Sequence, residues 1–102
     1  MPTFTTKEIR LLFKKARRVL KHSGLDVLSA PATLDQGRLL VITSRKVGNA
    51  PQRNKIRRRI KAIFHEEQLA KLKQDIIVIV KKEGIKLSFE ELKKLLIASL
   101  EK

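Results

Sequence analysis

The segment Ser44–Lys61, SRKVGNAPQRNKIRRRIK, constrains this chain more than any other. Between Asp35 and Glu66 there is no carboxylate, yet the interval holds nine Lys or Arg residues. Like charges at helical neighbour spacing repel, so a solvated helix ordinarily mixes signs. A helix carrying one sign alone calls for a polyanion laid against it, and the partner indicated is nucleic acid.

Setting Ile56 at zero and advancing about 100° per residue places Ile60, Ile63 and Phe64 within about 80° of it. Those four define a buried face. Asn54, Arg57, Arg58, Lys61 and His65 fall together on an outward strip of donors, spaced roughly like successive phosphates. Arg binds phosphate with a planar, bidentate fork, and Lys acts as a point charge. Arg53 falls at the edge of the core. Lys55 and Arg59 lie on the opposite flank, where solubilising charge and nucleic-acid contact are equally good readings. The Val47-Gly48-Asn49 turn ahead of the helix adds backbone N–H groups suited to one more phosphate.

Composition agrees. With 24 basic and 10 acidic residues the formal net charge is +14, well beyond what solubility requires. An apolar content of 42% is enough for a core, and the length suits one domain over residues 1–102. A membrane-surface helix would carry exposed aromatics, but Trp and Tyr are absent and Phe occurs four times. Without cysteine there is no disulfide or thiolate metal site. The start Met1-Pro2-Thr3-Phe4 has no apolar signal core, and the run Ile76 to Val80 is too short to span a bilayer. A cytoplasmic protein without membrane contact is expected.

Periodicity and cap residues predict the order α-β-β-α-β-α, one small sheet with helices packed on it as a two-layer α+β sandwich. Thr5 and Glu8 form a capping box, with Phe4 and Ile9 placed as its hydrophobic staple. The stripe Ile9, Leu12, Phe13, Ala16, Val19 and Leu20 predicts a helix running toward Gly24 as its C-terminal stop. Its outer side, with Lys7, Arg10, Lys14, Arg17, Arg18 and Lys21, reads either as a solvated face or as diffuse attraction for a polyanion. Residues 25–30 and 38–44 read as strands, the second apolar on both faces as an interior strand is. The basic helix is expected over residues 51–72, a strand over 76–80, and a last helix to about Leu100, capped by Ser88 with Glu91.

Lys46-Val47-Gly48-Asn49-Ala50, followed by Arg53-Asn54-x-x-Arg57-Arg58-x-x-Lys61, resembles the signature of the bacterial ribonuclease P protein family. That signature is Lys-Val-Gly-Asn-Ala running into Arg-Asn-x-x-Lys-Arg-x-x-Arg. The pair Glu8-Ile9, the strand opening with Asp75 and the start Ser88-Phe89-Glu90-Glu91-Leu92 extend the likeness over essentially the whole chain. Pro51 stands for an aliphatic residue, Arg57 and Lys61 exchange the usual Lys and Arg, and Arg59 replaces a frequent aliphatic.

The resemblance implies a left-handed βαβ crossover and a role in the endonucleolytic removal of the 5′ leader from precursor tRNA. The implied catalyst is the RNA subunit, with Mg2+ bound there. The implied RNA-subunit contacts are Arg45, Lys46, Asn49, Arg53, Asn54, Arg57, Arg58, Lys61 and His65. The precursor leader would lie between the first helix and the sheet, near Ile9, Arg10, Phe13 and Arg17. The family's stacking aromatics are replaced there by Ile9, with Phe13 nearby. The protein is expected to be monomeric within the complex.

No self-sufficient active site is visible. Asp26, Asp35 and Asp75 are scattered, and Glu66-Glu67 and Glu90-Glu91 are helical neighbours pointing about 100° apart. A protein nuclease needs clustered carboxylates for metal or a paired acid and base. His22 and His65 are isolated from one another. No catalytic or metal-ligating residue is therefore expected. The alternative class is a ribosomal or other structural RNA-binding protein. A DNA-binding helix-turn-helix lacks its paired helix here.

Overall fold

Thr5 opens the first helix as its spacing predicts. The Glu8 N–H donates to Thr5 Oγ1 at 3.1 Å, and the Thr5 N–H donates to Glu8 Oε1 at 3.0 Å. The structure, a computed structural model, describes residues 4–100; the reading of residues 1–3 lies outside it. The elements are α1 (Thr6–Lys15), β1 (Arg17–Lys21), β2 (Leu25–Pro31), β3 (Leu39–Thr43), α2 (Ala50–Glu66), β4 (Gln74–Val80) and α3 (Phe89–Leu100). The last is capped as expected, Ser88 and Glu91 exchanging bonds of 3.0 and 3.1 Å.

The strands order as β1-β2-β4-β3. The β1–β2 and β2–β4 pairs are antiparallel, and β3 runs parallel to β4 with α2 as the connection. One face buries Leu25, Val27, Ile76, Val78 and Val80 against Ile56, Ile60, Ile63, Leu92 and Leu96 of α2 and α3. The other face packs Ala30 and Ile77 against Leu12 of α1, with Leu28, Leu40, Ile42 and Ile79 half-buried around them. Two helices thus cover one face, and α1 partly covers the other.

Three expectations change. The helix predicted to reach Gly24 stops at Lys15, and residues 17–21 form an extra strand. Val19 and Leu20 serve the core beneath α2 and α3, whereas Leu12 and Ala16 serve the α1 face. No single helix supplies both sides of a sheet, so the chain must cross over. A bulge between Arg18 and Leu20 lets two consecutive apolar residues turn toward one core. Gly24 lies in the β1–β2 turn, where a Cβ would sit 2.8 Å from Leu87 Cδ1 and 3.2 Å from Gly84 Cα.

The strand β3 is an edge strand, not an interior one. Its run is apolar because Leu39 and Val41 meet one cluster while Leu40 and Ile42 meet the other. Helices on both faces, not strands on both edges, produce that pattern.

The basic helix ends at Glu66, short of Leu72. Continued regularly, it would carry Leu69 to about 220° from Ile56, on the solvent side. Instead Gln68 turns left-handed at φ 54°, and Leu69 drops into the core at 2% exposure. A short 3₁₀ turn, Leu69–Leu72, then leads through a second left-handed residue, Lys73, into β4. No described helix is long and apolar enough to cross a membrane.

Candidate nucleic-acid interface

The helix α2 is fixed at its start by Asn49. The Gln52 N–H donates to Asn49 Oδ1 at 2.9 Å, and the Asn49 N–H donates to Gln52 Oε1 at 3.0 Å. Asn49, expected as an RNA contact, is therefore first the helix cap. The Asn-x-x-Gln spacing was the available signal. Pro51 occupies the first turn without losing an intrahelical bond. Val47, 5% exposed, anchors the short turn Arg45–Val47 to the core and leaves Arg45 and Lys46 in solvent.

Ile56, Ile60, Ile63 and Phe64 are buried, which fixes the helix phase as read from the sequence. Asn54, Arg58, Lys61 and His65 are exposed on the far side, and Arg57 is half-buried beside them. Arg53, in regular helix at the core edge, is half-buried, with its Nε enclosed and no protein acceptor. Arg59 is spent internally, its Nη1 donating to the Leu87 carbonyl at 3.2 Å. This bond braces α2 against the chain entering α3. Lys55 remains exposed.

The ion pairs leave the strip aside. Among the described residues they join Arg38 to Glu8 and Asp75, Lys81 to Asp26, Lys86 to Glu83 and Lys93 to Glu67. None uses a cation between Arg45 and Lys61. Glu67, next to the strip in sequence, turns to Lys93 of α3 at 3.0 Å. Hydrogen bonding to Glu67 holds the Lys93 ammonium above its ordinary pKa. The paired carboxylates tie parts of the fold to one another, and the α2 cations have no carboxylate partner among the described residues.

The second group of expected residues divides. Ile9, Arg10 and Phe13 lie on α1, Ile9 half-buried and Phe13 40% exposed, while Leu12 is the α1 residue buried against the sheet. Arg17 does not join them. Because α1 ends at Lys15, Arg17 sits on β1 opposite Ser29 and lines a separate groove with Lys15, Arg18 and Ser99.

A side chain that sequence reasoning passed over holds α1 in place. Arg38, 3% exposed, stands immediately before β3, and Asp75, 2% exposed, is the second residue of the neighbouring β4. Its backbone N–H donates to Asp75 Oδ1 at 2.9 Å, and Nη2 lies 3.5 Å from Asp75 Oδ2. Its Nη1 donates to Glu8 Oε2 of α1 at 2.9 Å, and the guanidinium rests 4.1 Å from the Phe4 ring centre. Burial works against the Arg38 charge, but Glu8 and Asp75 outweigh it and hold the proton more tightly than in a free arginine. A lone charge opening each of two neighbouring apolar strands was the signal. No cluster of three or more His, Cys, Asp or Glu suited to a metal ion occurs among the described residues.

These features define a small, strongly basic α+β protein with an exposed helix whose cations have no carboxylate partner among the described residues. The family model described as Ribonuclease P matches residues 4–102, and the chain belongs to the ribonuclease P protein family. It is 39% identical over 90 residues to the ribonuclease P protein component of Bacillus pumilus, covering 86% of this chain and 75% of that protein. With the ribonuclease P protein component of Syntrophomonas wolfei it shares 36% identity over 99 residues, 96% of this chain and 82% of the relative. Its fold matches the Staphylococcus aureus RNase P protein with a TM-score of 0.83 at 26% identity, over 97% of this chain and 91% of that one. The Thermotoga maritima RNase P protein matches with a TM-score of 0.81 at 25% identity, over 98% and 96% of the two chains.

Proposed function

We propose that this chain is the protein subunit of a ribonuclease P whose catalyst is an RNA subunit, and that it binds that RNA through α2. The carrying observation is the absence of any ion pair to the cations of residues 45–61 among the described residues. Arg57, Arg58 and Lys61 engage phosphates, joined by Arg45 and Lys46 from the preceding turn. Asn54 and His65 supply donors and acceptors for sugar or base edges. Arg53, half-buried at the rim of the helix, adds its charge beside these contacts.

The 5′ leader of precursor tRNA occupies the partly open sheet face beside α1. There Ile9 and Phe13 give apolar contact and Arg10 gives charge. Single-stranded nucleic acid is commonly held by this pairing of a positive groove with apolar or aromatic platforms. With few aromatics available, leader binding depends more on charge and aliphatic contact than on stacking.

Mg2+ belongs to the RNA subunit in this reading and supports hydrolysis of the phosphodiester there. The protein neutralises phosphate repulsion between two RNAs, which lowers the metal concentration needed and favours precursor over mature tRNA. It acts as a monomer within the complex, in the cytoplasm. The deciding experiment is cleavage of precursor tRNA by the cognate RNA subunit at low magnesium, with and without this protein. We expect strong stimulation. Binding of the RNA without stimulation would move the assignment to a structural RNA-binding protein.

A further inference from the structure

Where the α2 strip ends, the surface opens into a groove of about 770 Å³, within the roughly 300–1,000 Å³ range of small-ligand sites. Three segments build it: the loop of residues 33–37, the last turns of α2, and the Leu69–Leu72 turn. Backbone bonds hold them together, Gly37 N–H to Ala70 O at 2.8 Å and Ala32 N–H to Lys73 O at 3.0 Å. Gly37 is needed for this closeness, since a Cβ there would fall 2.1 Å from Gln74 O. The groove is therefore formed before anything enters it.

Its chemistry is divided. Leu34 faces solvent at 48% exposure, beside Ala70 and the edge of Phe64. Lys61, His65 and Lys71 stand around this apolar surface. Lys61 and His65 also belong to the α2 strip, so a strand following the strip meets the groove without a break. Gln36 and Gln68 contribute amides that both donate and accept, and Asp35 contributes a carboxylate that only accepts.

We propose that this groove takes one unpaired nucleotide of the RNA lying on α2, with its phosphate at Lys61, His65 and Lys71 and its base on Leu34 and Ala70. Proteins read RNA sequence chiefly from unstacked bases, through an apolar or aromatic platform and polar groups at the base edge. A bare phosphate would not need the leucine floor, and an apolar ligand would not need three basic groups around it. The inference rests on the RNA-binding reading above but fails separately from it.

The test is an amide NMR titration of the full chain with AMP, GMP, CMP and UMP, alongside inorganic phosphate. We expect at least one nucleotide to shift the amides of residues 33–37 and 64–71, with affinity at least fivefold above that of phosphate. Leu34→Glu, at an exposed site, should weaken that nucleotide at least tenfold; Leu34→Ser should do so less, and both should melt like the parent. Equal responses to phosphate and nucleotides would overturn the proposal, as would a groove that does not respond at nucleotide concentrations of about 10 mM, where any Kd of about 1 mM would be nearly saturated. If only Arg57 and Arg58 respond, the strip keeps its role and the groove loses its own.

Discussion

Arg38 and the arginines of α2 are the same side chain put to opposite uses. Arg38 is almost wholly enclosed, meets two carboxylates and an aromatic face, and ties α1 to two strands. Arg57 and Arg58 meet no carboxylate among the described residues and lie along an open helix. Removing one partner of a buried pair leaves an uncompensated charge. Removing an exposed, unpaired cation leaves nothing behind in the fold. The placement of a few carboxylates thus separates cations that hold the protein together from cations left unpaired, the ones the proposed function assigns to RNA.

Salt should expose that division most strongly. With roughly six phosphate contacts, affinity for the RNA should fall about a thousandfold between 50 and 200 mM salt. The melting temperature should change little, because Arg38 is shielded from solvent. A nearly flat binding response, measured by filter retention or fluorescence anisotropy, would break the comparison on the side of the strip.

Stability should respond at the other pole. Asp75→Ala leaves the buried Arg38 guanidinium with Glu8 as its one remaining carboxylate and its backbone N–H without an acceptor, and we expect a loss of about 3 kcal/mol in urea unfolding. Less than about 1 kcal/mol would mean that the cluster acts as a surface pair despite its burial.

Replacing both Arg57 and Arg58 by Ala should weaken RNA binding roughly ten- to a hundredfold and flatten the salt dependence by about two units of slope. Stability should stay within about 0.5 kcal/mol. An equal loss of stability in this variant would show that the two side chains brace the helix as Arg59 does.

Much of this was legible in the residues because it obeys local rules. The capping pairs Thr5–Glu8 and Ser88–Glu91, the buried face of α2 and the β-branched run of β4 follow from spacing alone. So did the unbalanced strip, a statement about charge that needs no coordinates. What escaped depends on which side of the sheet a residue must reach. Val19 and Leu20 continue a helical stripe, yet they serve a different core from Leu12, and pairing with β2 overrides the helical pattern. Leu69 fits the pattern only after Gln68 turns left-handed, in the absence of the glycine that usually marks such a turn. Arg38 met Asp75 through the parallel register of β3 and β4, a contact between residues distant in sequence. Arg17 left the α1 set for the same reason that β1 was missed.

Glu8 allows a finer test, because it joins the buried cluster to the helix that borders the open sheet face. The Thr5 backbone N–H, followed by the Arg38 guanidinium, holds its carboxyl below the ordinary 4.5. The folded state therefore binds this proton less readily than the unfolded chain does, and Glu8 contributes stability only while it is ionised. That contribution is complete well above 4.5 and is lost as the pH falls through the depressed folded value. The stability gap between the parent and Glu8→Gln should accordingly be level near neutral pH and close progressively in acid, followed by urea melts across that range. A gap that widens in acid would mean that Glu8 is held in its protonated form and that the tie to Arg38 is not ionic. The Gln variant should keep its salt-dependent RNA affinity through α2, because Glu8 lies on α1 and its tie runs to Arg38 rather than to α2.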